Sequence, residues 1–218
     1  MKAAELLSRA ADLIWPRRCV FCGEILRTEE PVCGRCMEKL PFFTPDAKPH
    51  PVPLTEGCVS VLRYRDAVRD SVLRMKFHGA WHYARAYAGL MAAVLAAHEW
   101  TDFDAVTYVP SRRRSDRPYN PAELIARELC SRLDLSPPQA LLRKVRRNRR
   151  QSGLEASARA ANVLGVFALT PAAAVSGKRI LLVDDVLTTG ATLSECARIL
   201  RNGGAETVSC VTLARTEK

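Results

Sequence analysis

Aromatic residues are scarce, 6% of 218, and there are only four histidines. So few rings give little with which to stack exposed bases, and any nucleic-acid contact is expected to run through the phosphate backbone. His78 and His82 stand four apart without a third ligand nearby, and read as surface or helix-end histidines. No Ser/His/Asp constellation can be assembled, so a triad hydrolase is not indicated. No apolar run approaches the ~20 residues of a membrane-spanning helix, which argues against membrane insertion. Met1–Trp15 could pass for a secretory leader, but Glu5, Arg9 and Asp12 interrupt its apolar stretch. It reads instead as an amphipathic helix carrying Leu6, Leu7, Ala10, Leu13 and Ile14. A soluble, cytoplasmic protein is expected. With 48% hydrophobic residues and a mean hydropathy of −0.09, bulk disorder is excluded.

Acidic residues are also in deficit. There are 33 bases against 23 acids, a net charge of +10 and a pI near 9.5. Such a surplus favours a polyanionic partner or a phosphorylated ligand. It is concentrated. Val109–Arg150 holds twelve basic and four acidic residues, with dense clusters at Arg112–Arg117 and Arg143–Arg150. Both clusters are expected in loops, where an anion site competes with the ordinary reading of a solvated basic face.

Eight cysteines would suggest disulfides in a secreted chain, but nothing indicates secretion. Cys19 and Cys22 form one C-x2-C pair, and Cys33 and Cys36 form another after ten intervening residues. Each pair resembles a zinc knuckle, with Gly23 and Gly34 permitting tight turns. A redox pair would not need a second copy at ribbon spacing, and iron–sulfur ligation is the remaining alternative. With four protein ligands the zinc would be structural, and its binding would drive the folding of so short a module. Cys58, Cys130, Cys196 and Cys210 stand alone in apolar-periodic segments and read as core residues. Five prolines between Pro41 and Pro53 then mark an extended, stiff linker.

The organisation expected is an N-terminal helix (1–16), a zinc ribbon (17–40), a Pro-rich linker (41–55) and a larger domain (56–218). In that domain strands at Cys58–Tyr64, Asp104–Val109, Ile180–Val183 and Thr207–Leu213 alternate with helices. The helices are read at Val68–Phe77, Ala84–His98, around Ala122–Leu133, and around Leu193–Leu200 with a stop at Gly203-Gly204. The alternation implies a doubly wound α/β fold, a mainly parallel sheet flanked by helices. Ligands in such sheets bind beyond the carboxyl ends of strands.

Ile180–Val183 delivers two carboxylates, Asp184 and Asp185, to such an end. Thr188, Thr189, Gly190, Ala191 and Thr192 follow as a turn that opens a helix. N–H groups at a helix start, threonine hydroxyls and a close-approach glycine form an anion cradle. Paired acids beside a phosphate need a neutral partner, and the two hydroxyls of a ribose 5-phosphate supply one. The segment resembles the 5-phosphoribosyl 1-diphosphate (PRPP) signature of type I phosphoribosyltransferases. That resemblance implies that Asp184 and Asp185 hold the ribose hydroxyls and that Thr188–Thr192 hold the 5′-phosphate.

A ribbon preceding such a domain resembles the ComF family of competence-associated proteins. The resemblance extends to Tyr64-Arg-Asp-Ala-Val-Arg69, Lys76-Phe-His-Gly79 and Val109-Pro110 followed by arginines. It continues through Gln151-Ser-Gly153-Leu154, Arg159, Asn162-Val163, Gly165 and Phe167 to Thr212-Leu-Ala-Arg215. One departure stands out: Arg117-Pro118-Tyr119-Asn120-Pro121 replaces the family's Arg-Gly-aromatic-Asn-Gln.

The resemblance implies displacement of pyrophosphate at C1 of PRPP with Mg²⁺ bridging the oxygens, with Arg112, Arg113 and Arg146 as candidates for handling the pyrophosphate. Pro110–Arg114 would contact it and Arg143–Gly153 would close over it as a hood. Thr188 stands where the 6-oxopurine salvage enzymes carry an acid, which argues against hypoxanthine or guanine as acceptor. Two functions follow from the resemblance. One is a DNA-uptake protein that handles single-stranded DNA beside competence-machinery partners. The other is a Mg-dependent phosphoribosyltransferase of nucleotide or salvage metabolism with an unidentified acceptor. Whether pentosyl transfer is catalysed stays open at this point.

Overall fold

The computed structural model describes residues 16–44, 46–111, 119–146 and 163–217. The expected N-terminal helix, Arg112, Arg113 and most of the expected hood lie outside these residues. In chain order the elements are α1 (Gly34–Lys39), β1 (Cys58–Arg63), α2 (Asp66–Phe77), α3 (Tyr83–Ala97), β2 (Ala105–Tyr108) and α4 (Pro121–Arg132). There follow β3 (Leu142–Lys144), β4 (Phe167–Leu169), β5 (Arg179–Leu187), α5 (Ala191–Asn202) and β6 (Thr207–Arg215).

β1, β6, β5 and β2 form a sheet in that order, and every pairing is parallel. Alternation along β5 divides the core. Leu181 and Val183 enter the cluster that also holds Val72, Met75, Tyr87, Met91, Ile125 and Leu129 of α2, α3 and α4. Ile180 and Leu182 enter the cluster that holds Leu193, Cys196 and Leu200 of α5 with Phe167 of β4. Helices therefore cover both faces, as the apolar run of β5 requires. Sequence signals set the helix ends. Asn120 caps α4 by accepting the Ala122 N–H at 3.2 Å, and Pro121 occupies the first turn, where its missing N–H costs nothing.

Three features differ from the expectation. Arg143 and Lys144 lie in a strand rather than a loop, because β3 pairs antiparallel with β4 and Leu142 is buried beneath it. Gly34 opens α1 without a positive φ, whereas Gly23 does take the left-handed region at +77°. The Pro-rich segment is extended, but it is laid along the outer edge of β1. Cys58 donates to His50 O at 2.8 Å, Phe43 to Val61 O at 3.0 Å and Arg63 to Pro41 O at 2.9 Å. The Phe43 ring lies under two guanidinium groups, Arg63 at 4.7 Å and Arg215 at 4.2 Å.

The ribbon packs directly on the α/β layer. Cys19, Val20 and Phe21 are buried in the same cluster as α2 and α3. Ser71 Oγ donates to Val20 O at 2.5 Å, so the Tyr87 hydroxyl donates to Ser71 Oγ at 2.6 Å. The four isolated cysteines are buried core residues, as expected. Among the described residues, no helix is long and apolar enough to cross a membrane.

Candidate functional site

A cleft of about 420 Å³ opens at the carboxyl ends of the strands. β5 contributes Asp184, Asp185 and Val186 and leads into Thr188; β2 leads into Val109 and Ser111. Tyr64 follows β1, Lys76 and Phe77 end α2, and Asn120 and Pro121 start α4. Neighbours on a strand ordinarily face opposite ways. Here both acids line the cleft, and the Asp185 N–H donates to Asp184 Oδ1 at 2.9 Å.

Asp185 is 8% exposed and accepts a charge-assisted hydrogen bond of 2.6 Å from Lys76 Nζ. Burial, the largest single influence, would lower the Lys76 ammonium, but Asp185, with Asp184 and Tyr64 behind it, outweighs it and the net shift is upward. Among the described residues Asp184 has no such partner. Burial, then the charge of Asp185, pushes its carboxyl above the ordinary carboxylate range; Lys76 and the Asp185 N–H pull back more weakly. The two acids are therefore inequivalent: one is paired, the other strained toward its neutral form.

Past β5, Gly190 adopts φ +76° and stands at the N-cap of α5 without a side-chain cap. A Cβ at Gly190 would meet Leu187 and Val52 only at 3.7 Å, so the conformation calls for glycine rather than the space. The first N–H groups of a helix have no intrahelical acceptor, and they sit beside the Thr188, Thr189 and Thr192 side chains. Thr188 is exposed at the cleft wall, with Thr189, Ala191 and Thr192 half-buried beyond it. The Thr216 hydroxyl donates to Thr188 O at 3.3 Å, tying the turn to the end of β6.

The Ser111 hydroxyl is buried in the cleft wall without a hydrogen-bond partner among the described residues. It belongs to the Pro110–Arg114 segment expected to meet pyrophosphate. An orphaned hydroxyl beside a cleft is a ready ligand contact. Arg146 is not among the lining residues; its N–H donates to Val166 O at 3.4 Å beyond β3. Lys76 is the cleft residue that the sequence left without a role. Its only signal was membership of the Lys76–Gly79 match.

The thiols of Cys19, Cys22, Cys33 and Cys36 converge, with every Sγ within 4.8 Å of the others and Cys22 and Cys33 at 3.6 Å. Zinc–sulfur bonds of ~2.3 Å in a tetrahedron imply edges of about 3.8 Å, so the cluster fits a structural zinc ion. The Cys33 N–H donates to Cys19 Sγ at 3.4 Å, the kind of contact that steadies a coordinating thiolate. Among the described residues this is the one group of potential metal ligands, and His78 and His82 have no part in it.

The phosphoribosyl transferase domain family matches residues 119–218, and the double zinc ribbon domain family matches residues 10–48. Competence protein F of Haemophilus influenzae is 29% identical over 208 residues, covering 90% of this chain and 84% of that protein. DNA utilization protein YhgH of Salmonella typhimurium is 31% identical over 204 residues, covering 91% and 84%. The chain belongs to the ComF family. Another relative, competence protein ComFC of Streptococcus pneumoniae, is 29% identical over 157 residues, covering 72% of this chain and 67% of that protein. Both parts of the ComF architecture, ribbon and phosphoribosyltransferase fold, are thus present.

Proposed function

We propose that the cleft binds PRPP as its magnesium complex and that the protein uses this site in DNA uptake, handling single-stranded DNA. The observation that carries the ligand is the order of groups at one opening: an acid pair and Thr188 in its wall, a hydroxyl without a partner among the described residues at Ser111, and the left-handed Gly190 opening α5 just beyond. Asp184 and Asp185 meet the ribose hydroxyls. The 5′-phosphate lies on the N–H groups and hydroxyls of Thr188–Thr192, with the helix dipole behind it. The diphosphate faces Ser111, and a Mg²⁺ bound with it would supply charge neutralisation there. The competence role is supported by the relatives named competence protein F and ComFC, and the DNA role by those named DNA utilization protein.

Thermal melting with millimolar PRPP and Mg²⁺ tests the ligand. Binding raises the melting temperature, and Asp184→Asn with Asp185→Asn removes the rise. No rise in the wild type sinks the reading.

A structural observation favours the DNA part. Trp81, on the turn between α2 and α3, is 61% exposed, close in sequence to Phe77, which ends α2 in the cleft wall. The exposed Trp81 ring offers a stacking surface that the low aromatic content did not promise. Stacking contributes ~1–3 kcal/mol per base, so Trp81→Ala weakens oligonucleotide binding by about that amount. The salt dependence follows a log–log slope of about −0.7 per phosphate neutralised. The second function, magnesium-dependent transfer of the phosphoribosyl group in nucleotide metabolism, uses the same cleft. There the C1–oxygen bond to pyrophosphate breaks, a bond from C1 to the acceptor forms, and the acceptor gives up a proton. Release of pyrophosphate from PRPP in the presence of candidate acceptors tests it.

A further inference from the structure

α2 points its last turn into the cleft, and the helix is anchored to two other segments, the first knuckle and the stretch before α4. Ser71 holds Val20 O from the first half of the helix. Arg74 donates to Phe21 O at 2.6 Å and to Val20 O at 3.1 Å. Tyr119 donates to Met75 O. The next residue is Lys76, whose side chain is 23% exposed. Its ammonium is the one cation in the described cleft lining. A ligand bearing a phosphate and a diphosphate is repelled by two bare carboxylates, so an acid pair built to receive it needs an internal counter-charge. Lys76 supplies one on Asp185 at 2.6 Å. A compact ammonium on a long stem does this from a neighbouring helix without filling the cleft.

We propose that Lys76 is a positioning residue of this cleft, gripping Asp185 from α2 so that the acid pair stays oriented toward the hydroxyls of a phosphoribosyl ligand. The inference rests on the phosphoribosyl reading and adds a group from a different face of the sheet. It also has a ligand-independent consequence. Among the described residues, Lys76 of α2 acts on both acids and Tyr87 of α3 faces Asp185, while Tyr64 after β1 acts on Lys76 itself. The thiols of Cys58, Cys196 and Cys210 lie around Asp184 from β1, α5 and β6. Of these only Lys76 is cationic near neutrality. Asp184 is shifted upward, so the stability it contributes is present at low pH and is lost as pH rises through its raised value. Without Lys76 both carboxylates lose their counter-charge and the loss steepens.

The test uses the full chain as wild type, Lys76→Met, Lys76→Arg, Asp185→Asn and the Lys76→Met/Asp185→Asn double variant. Melting without ligand is followed from about pH 5 to about pH 8, a window that spans the raised Asp184. Lys76→Met is expected to lose stability more steeply with rising pH than wild type. Lys76→Arg restores the wild-type slope, and the double variant is less impaired than the two single effects combined. Calorimetric titration with Mg–PRPP then gives about tenfold weaker binding for Lys76→Met, the scale of one charge-assisted hydrogen bond, with most affinity kept by Lys76→Arg. Parallel pH curves for wild type and Lys76→Met overturn the proposal whether or not PRPP binds. So does unchanged affinity in Lys76→Met. A wild type that shows the pH effect but no PRPP binding overturns the ligand reading and leaves the Asp185 grip supported.

Discussion

The two faces of the sheet are tied down in different ways. On the ribbon side, Ser71, held in turn by the Tyr87 hydroxyl, and Arg74 hydrogen-bond to carbonyls inside the first metal knuckle, so the module is fastened to α2 between its ligands. On the α5 side the polar tie is a carboxylate. Glu195, 5% exposed, accepts the Gly165 N–H at 2.8 Å and pairs with Arg198 at 2.7 Å. One face carries the cation of the cleft at the end of α2, and the other carries the turn that opens α5. The acid pair stands on the strand between them. The cleft is therefore shared between two separately supported halves, and a lesion on either face should reach it by a different route.

Removing the metal is the strongest way to break this comparison. Structural zinc sites contribute an apparent ~10–16 kcal/mol, as much as a whole domain's stability. Chelation, or Cys22→Ser with Cys36→Ser, is expected to lower the melting temperature more than any single core substitution. It should also weaken Mg–PRPP binding, through Val20, Phe21 and α2. Calorimetric melting with and without chelator checks the first part and titration the second; an unchanged melt would mean that the ribbon is not a strut. Next come matched cavities. Met91→Ala on the ribbon side and Leu200→Ala on the α5 side both remove fully buried side chains, and each is expected to cost ~2–5 kcal/mol. Denaturant unfolding that gave one face a cost several-fold smaller would show that face to be loosely packed. Gly190→Ala is smaller, about 1 kcal/mol or more from the left-handed backbone, since the added methyl meets only ordinary contacts. Its signature is a loss of Mg–PRPP affinity out of proportion to that cost. The smallest effect is outside both halves. Hydrogen bonds from Arg179 hold the exposed Asp104 down at about 2. Its contribution is present above the ordinary carboxylate value of 3.8 and is lost as pH falls through about 2. Asp104→Asn should cost a little stability at neutral pH and flatten the acid limb, so that variant and wild type converge as pH falls through about 2.

What the chain disclosed in advance followed local pattern. The period of Ala84, Tyr87, Ala88, Met91 and Leu95 placed α3, and the apolar run before Asp184 placed a strand buried on both faces. The ribbon was legible because metal ligation imposes a spacing. The misses share a cause in pairing over distance. β3 and β4 are three residues each, too short for alternation to be seen, and Arg143 and Lys144 looked like loop charge. The prolines gave the extended backbone of residues 41–53 but not that it would pair with β1. Lys76 meets Asp185 across 109 residues, and no local signal in either helix or strand encodes that.

β6 lies between β1 and β5, although it is the last strand in chain order. β1 thus waits for a neighbour about as far away as Ser60 is from Thr212, a separation of 152 residues. Until β6 arrives, the inner edges of β1 and β5 both present unpaired backbone. The outer edge of β1 is covered much earlier, by Pro41–His50, which lies next to it in the chain. Loop closure over such distances is slow, so formation of the sheet should be a late folding event. During that interval the ribbon and its strap leave a growing chain one vulnerable edge on β1 instead of two.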